Sequence, residues 1–195
     1  MAYPPSPFAP AHFPALPPVR GVRLAACEAG VRYSGRLDLM LAEFAPDTVV
    51  GGVMTKSTTA GAPVDWNRVA LGNGAARALV VNAGNANVFT GKRGREAVAK
   101  TAAAVSDAIG CDSNDVFVCS TGTIGEYLLE DRITAKIGDL KTTLSDTAWE
   151  QAATAIMTTD TYAKGAMRTA EIDGTTVTLV GIAKGSGMIA PDMAT

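Results

Sequence analysis

The dipeptide Asp173-Gly174, set between Ala166–Ile172 and Thr175–Ala183, restricts this chain more than any other feature of its sequence. Both residues tolerate a positive φ, which a two-residue hairpin turn demands, so the flanking runs are expected to pair antiparallel. The second run ends on apolar residues at Ala183, reads as a buried strand, and feeds a Lys184-Gly185-Ser186-Gly187 turn. That strand is expected to deliver Lys184 and the following residues, as far as Ala194-Thr195, to one edge of the fold. A strand and a glycine turn with nothing packed behind them read more easily as part of a fold than as all of it.

Upstream, β-type runs are expected around 22–26, 37–44 and 49–55, separated by Gly, Ser, Pro and Asp. Gly51-Gly52 inside the third suggests a bulge, and 30–36 a turn. Pro63 can open a helix over 64–71 that Gly72-Asn73-Gly74 would end. A short buried strand at Ala78–Val81 leads into Asn82-Ala83-Gly84-Asn85-Ala86-Asn87, readable either as a polar strand-to-helix loop or as a ligand-facing one. Lys92–Ile109 carries Val98, Ala102, Val105 and Ile109 on one helical face and stops at Gly110. Val116–Ser120 returns as a strand followed by a tight turn at 121–125. Helices are expected over 128–144 and, from a Thr147…Glu150 capping box, to Met157. Strands and helices thus alternate as in an α/β layered sandwich with at least one antiparallel hairpin.

Bulk properties exclude several classes of function. Seventeen basic against nineteen acidic residues, with a formal charge of -2 and no basic run, leave no footprint for a nucleic acid. Cys27, Cys111 and Cys119 form no C-x-x-C and have no histidine nearby, which argues against a disulfide framework or a metal site. The single histidine, His12, lies in an arm, residues 1–21, that holds seven of the ten prolines and reads as polyproline-like or disordered. A His-based triad within the chain is therefore not expected. The arm lacks the basic start and apolar core of a signal peptide, and no run approaches the ~18 apolar residues of a membrane span. A soluble, cytoplasmic protein is the default expectation.

Four places can carry chemistry. Ala194-Thr195 is either an ordinary chain end or a scissile bond. In the second case the Thr hydroxyl attacks the preceding carbonyl, and cleavage frees an α-amine of pKa about 7.7 to 8.0, a suitable base for that hydroxyl. Thr121-Gly122, directly after a strand, is either turn material or a pair of donors for an oxyanion. Thr158-Thr159-Asp160-Thr161 either caps a helix or holds the polar ends of a substrate. Lys184 is either a solvated lysine or a fixed ammonium for a carboxylate. The spacing Gly185-x-Gly187-x-x-Ala190 formally matches a dinucleotide fingerprint, but Pro191 stands where that motif needs a helix. A P-loop is ruled out because Lys184 precedes its glycine.

Three segments in this order, C-S-T-G-T-I-G from Cys119, I-M-T-T-D-T from Ile156 and G-I-A-K-G-S-G-M-I-A-P-D-M-A-T from Gly181, resemble the ornithine acetyltransferase (ArgJ) family over about Leu24 to Thr195. The resemblance implies a layered α/β sandwich of the DmpA/ArgJ type, with 22–195 as the α chain of a precursor that cuts itself between Ala194 and Thr195. A separate β chain would complete it, in an α2β2 heterotetramer. It implies an acyltransferase of arginine biosynthesis that moves acetyl from N2-acetyl-L-ornithine to L-glutamate through an acetyl-Thr intermediate. Thr195 is then nucleophile and substrate contact, Thr121 and Gly122 stabilise the oxyanion, and Thr158 and Lys184 bind substrate. The asparagine-rich loop becomes ligand-facing on the same grounds. No cofactor and no metal are implied, and acetyl-CoA as a second donor is left open at this stage. The alternative is an autoprocessed amidohydrolase or aminopeptidase.

Overall fold

The two faces of one four-stranded sheet are covered by different kinds of structure, and this asymmetry places the candidate site. The computed structural model describes residues 4–187. Its sheet has the order β1 (Val22–Cys27), β2 (Leu39–Phe44), β3 (Ala78–Asn85) and β4 (Val116–Thr123). The first three strands are antiparallel neighbours, whereas β3 and β4 are parallel and joined by a crossover through helix α2 (Gly91–Ile109).

Period-2 alternation sorts the strand side chains between two cores. Leu39, Leu41, Val80, Val116 and Val118 face α2 and helix α3 (Glu130–Thr142), meeting Val98, Val105, Ile133, Ile137 and Leu140. Each of these large side chains contributes about 1.5 to 3 kcal/mol by leaving water. Leu24, Met40, Ala42 and Val81 point the other way, onto Trp149 and Ile156 at the two ends of helix α4 (Trp149–Ala155). The layered α/β expectation holds.

Both edges of the sheet are closed by side groups rather than further strands, the usual protection against edge pairing. Helix α1 (Ala62–Ala70) lies along β4, where the Asn67 amide donates to the Val118 carbonyl at 2.9 Å and accepts its N–H at 3.0 Å. Trp66 Nε1 donates to the Val116 carbonyl. On the far edge, Leu24 and Ser145 exchange backbone hydrogen bonds.

The Asp173-Gly174 hairpin forms as expected, with φ of 50° and 76° at the turn, joining β5 (Lys164–Ile172) to β6 (Thr175–Ala183). It makes a separate two-stranded sheet. Val180 and Ile182 pack on the α4 core, but Val177 and Leu179 are exposed, so β6 is not the fully buried strand its composition suggests.

Other local expectations are corrected. Residues 50–57 form no strand and no bulge; Val49 makes one isolated bridge to Ala75, and both Val49 and Val53 face solvent. Two adjacent glycines make that run costly to order, and no neighbouring strand repays the cost. The Thr147 capping box does not form, because Thr147 pairs with Ser145 and the N-cap of α4 is Ala148, which offers no side-chain cap. From residue 4 on, the proline-rich arm is irregular, with a turn closed by the Ala9 N–H on the Ser6 carbonyl, and it is packed: Phe13, Leu16 and Val19 lie on the α4 core, and Phe13 against Gly165 of the hairpin.

Candidate active site

Parallel strands bring their carboxyl ends together, and the crevice outside those ends is where α/β sheets commonly bind ligands. Here the ends are Asn82–Asn85 of β3 and Ser120–Thr123 of β4, with Thr121 opposite Ala83 and Gly122 opposite Gly84. Residues 121–123 of the tight turn expected at 121–125 therefore continue β4, and the chain bends only from Ile124. At Gly122, φ is 135°, and a Cβ would stand 2.3 Å from the Gly84 carbonyl carbon. No side chain fits there, so the backbone lies open to the cleft beside it.

That cleft, about 820 Å3, is lined by Tyr33, Thr121, Gly122, Thr158, Lys184 and Gly185 among others, a size suited to a small molecule. The Lys184 ammonium donates to the Thr121 hydroxyl oxygen at 2.9 Å. The Thr121 proton is then free to be donated elsewhere, and its oxygen is polarised by a cation, which makes it a better donor. Of the candidate residues, Thr121, Gly122, Thr158 and Lys184 meet in one cleft; Ala194 and Thr195 lie outside the described residues.

Asp160 organises one wall. Its side chain is fully buried and accepts from Lys164 Nζ at 2.8 Å, the Gly185 N–H at 2.5 Å and the Thr158 N–H at 3.1 Å. Burial pushes the carboxyl up, but the Lys164 bond, the two backbone donors and the Lys164 charge outweigh it and hold the pKa at about 2. Tyr33 also lines the cleft. Arg36 stacks on its ring, 4.4 Å from the centroid, and donates to the Met157 carbonyl at 2.7 Å, next to Thr158. The loop behind Tyr33 is pinned by buried Asp38, which accepts from the N–H groups of Ala29, Gly30 and Val31. Tyr33 and Arg36 escaped the sequence reading as site residues, and Asp160 entered it only as a member of the Thr158–Thr161 cluster, with no role of its own. An isolated aspartate in a polar loop, or Tyr-x-x-Arg in a turn, has no spacing that signals a role.

The asparagines resolve differently from the ligand-facing alternative. Asn82, Asn85 and Asn87 are all buried. Asn82 donates to the Asn85 carbonyl and accepts from Ser120, Asn85 donates to the Glu126 carbonyl, and Asn87 donates to the Gly94 carbonyl and accepts from Thr90. Their amides are used up in holding the strand ends, as buried polar groups must be. The three cysteines are free thiols, all pushed up by burial, Cys27 to about 11, which leaves no ready thiolate. Among the described residues no group of His, Cys, Asp and Glu could hold a metal ion, and no helix is long and apolar enough to cross a membrane.

A crevice at the ends of parallel strands, lined by a paired cation and hydroxyl, open backbone and a fixed glycine turn, has the build of a site for a small polar molecule. Residues 23–195 match the ArgJ family model, and the chain belongs to that family. It is 56% identical over 182 residues to the arginine biosynthesis bifunctional protein ArgJ of Gluconobacter oxydans, covering 93% of this chain and 43% of that one. It is 55% identical over 192 residues to the Ruegeria pomeroyi ArgJ, covering 97% and 47%. The chain thus spans a little under half the length of these relatives. Its fold matches the crystal structure of ArgJ from Bacillus halodurans with a TM-score of 0.82 at 33% identity, covering 88% of this chain and 90% of that one. It matches ornithine acetyltransferase from Mycobacterium tuberculosis, complexed with ornithine, with a TM-score of 0.82 at 36% identity, covering 89% and 92%.

Proposed function

We propose that residues 22–195, preceded by the arm 1–21, are the α-chain portion of a self-processing acetyltransferase in arginine biosynthesis. The enzyme moves the acetyl group of N2-acetyl-L-ornithine to L-glutamate in the cytoplasm, as an α2β2 assembly with a β chain from the same precursor. Membership of the ArgJ family and likeness to an ornithine acetyltransferase complexed with ornithine support the substrate class. The observation that carries the reading is the 2.9 Å bond from Lys184 to Thr121 within a cleft also lined by Gly122 and Thr158.

In this reading the Ala194-Thr195 bond is cut, and the freed amine of Thr195 takes the proton as its hydroxyl attacks the acetyl carbonyl. The hydroxyl of Thr121, free to donate because Lys184 serves its oxygen, and the backbone N–H at Gly122 hold the oxyanion. Collapse expels ornithine, which receives the proton, and leaves an acetyl ester on Thr195. The glutamate amine then attacks that ester, N-acetylglutamate departs, and the Thr195 oxygen recovers its proton. Lys184 and Thr158 hold the polar ends of the amino acids.

The test is a half-reaction. Full-length protein is expected to divide before Thr195, and Thr195→Ala to stay whole by intact mass. Processed enzyme given N2-acetyl-L-ornithine alone should gain one acetyl group on the chain that begins with Thr195, and L-glutamate should discharge it, with parallel initial-rate plots. Acetate released at one rate with and without glutamate would mean a hydrolase. Intersecting plots and no acetylated chain would remove the covalent step.

A further inference from the structure

The proposed binding role of Lys184 requires that its long side chain start from a fixed point, yet Lys184 and Gly185 are exposed and follow the end of β6. Gly185 also has a φ of 132°, a conformation open to glycine but not maintained by it. Something has to hold this backbone in place, and the group that does so is on another segment. Asp160, 25 residues upstream, accepts the Gly185 N–H at 2.5 Å.

We infer that Asp160 is a positioning residue for Lys184, clamping the glycine turn so that the ammonium reaches Thr121 and the cleft. The inference rests on the proposed reading of Lys184 as a substrate-binding cation. Asp160 itself is fully buried behind the wall and is not among the residues lining the cleft. Its carboxylate gathers three donors from three segments. The Thr158 N–H comes from its own loop, Lys164 Nζ from the start of β5, and the Gly185 N–H from the turn after β6. One acceptor therefore ties the turn that carries Lys184 to the loop that carries Thr158, two residues that face the same cleft. Lys164 is held in its turn, donating also to the Tyr162 carbonyl and lying 4.5 Å from the centre of the Tyr162 ring. It supplies the counter-charge without entering the cleft.

The chemistry of the clamp singles out a carboxylate. The Lys164 ammonium and the Gly185 N–H converge on Oδ1 and the Thr158 N–H on Oδ2, so an amide could keep the Gly185 bond by turning its NH2 on the Thr158 donor, while losing the charge that faces Lys164. Alanine removes the acceptor altogether: the Gly185 N–H is released, the turn relaxes and Lys184 no longer starts from its fixed point.

The experiment is a double-mutant cycle in the full-length, processed protein, reading KM and kcat for N2-acetyl-L-ornithine and L-glutamate. Asp160→Ala alone is expected to raise KM for at least one substrate about tenfold with kcat changed by less than about threefold. Added to Lys184→Met, it should raise KM by less than about twofold further, because the cation it positions is gone. Equal KM effects in both backgrounds overturn the inference and leave the function of Lys184 standing. An unchanged KM in Lys184→Met alone overturns the binding role of Lys184 and this inference with it. If Asp160→Ala does not fold, amide exchange in the unaltered protein decides the matter. The Gly185 N–H should exchange about tenfold more slowly than that of Ser186 after correction for intrinsic rates, and equal rates overturn the clamp.

Discussion

Lys184 and Thr121, 63 residues apart in sequence, are joined by a 2.9 Å hydrogen bond in which the ammonium donates and the hydroxyl oxygen accepts. The direction of this bond sets the chemistry open to Thr121. An oxygen already accepting from a cation turns its own proton outward, an arrangement that suits a hydroxyl donating to a developing oxyanion.

Replacing Thr121 by Ala is therefore expected to lower kcat by about 10² to 10³, the usual loss for one oxyanion donor. Thr121→Ser keeps the hydroxyl and should recover most of it. Thr121 is only partly buried, so neither change should move the denaturant midpoint by much. Turnover of the processed Ala variant at the normal rate would reduce Thr121 to strand material.

Lys184→Met should raise KM for N2-acetyl-L-ornithine or L-glutamate more than it lowers kcat: a carboxylate bound equally in ground and transition states affects binding alone, and the Thr121 hydroxyl can still donate without the cation, losing only its polarisation. Steady-state kinetics on both substrates is the measurement.

Gly122→Ala is expected to destabilise the protein by several kcal/mol. The added Cβ meets the Gly84 carbonyl at 2.3 Å, backbone that cannot give way without breaking the β3–β4 ladder, and a φ of 135° is strained for alanine in any case. Urea unfolding reads it out, and a loss within 1 kcal/mol, roughly the error of such a prediction, would be inconsistent with the packing described.

Asn67→Ala removes both partners of the Val118 peptide on the closed edge of β4. A buried N–H and C=O left without partners should cost about 2 to 5 kcal/mol, with no direct effect on KM because Asn67 does not line the cleft. Thermal unfolding and kinetics together test this.

Acid should release the Asp160 clamp. Its carboxyl is held at about 2 in the folded protein, below the usual value near 3.9, so its stabilisation is present above pH 4 and lost as the pH falls toward 2. Subtracting the stability profile of Asp160→Asn from that of the unaltered protein should leave a difference that shrinks on acidification across that window. A constant difference from pH 5 to pH 2 would mean that the carboxylate is not paired as described.

Most of the elements were legible because their signals are local. Asp173-Gly174 made its hairpin, Gly110 stopped α2 in a left-handed conformation, and the face Val98–Ala102–Val105 is the one buried. Val49–Val53 misled because β-type residues describe a strand only where another strand is free to pair with them. The asparagines near Asn85 misled in the opposite sense: the same amides that could serve a ligand serve the backbone once β3 and β4 lie side by side.

The amino-acid sequence by itself determined the periodicities, the turns and the motifs at Thr121-Gly122, Thr158–Thr161 and Lys184, since each depends on neighbours a few residues away. Only the tertiary structure decided that these motifs share one cleft, that Tyr33 lines it with Arg36 on its ring, and that Asp160 reaches the Gly185 amide. Those relations span separations from 25 to 121 residues and exist because the sheet, the hairpin and α4 pack in one particular way. No local pattern records a contact made across a fold, because the free energy that selects it belongs to the packing of all the elements at once.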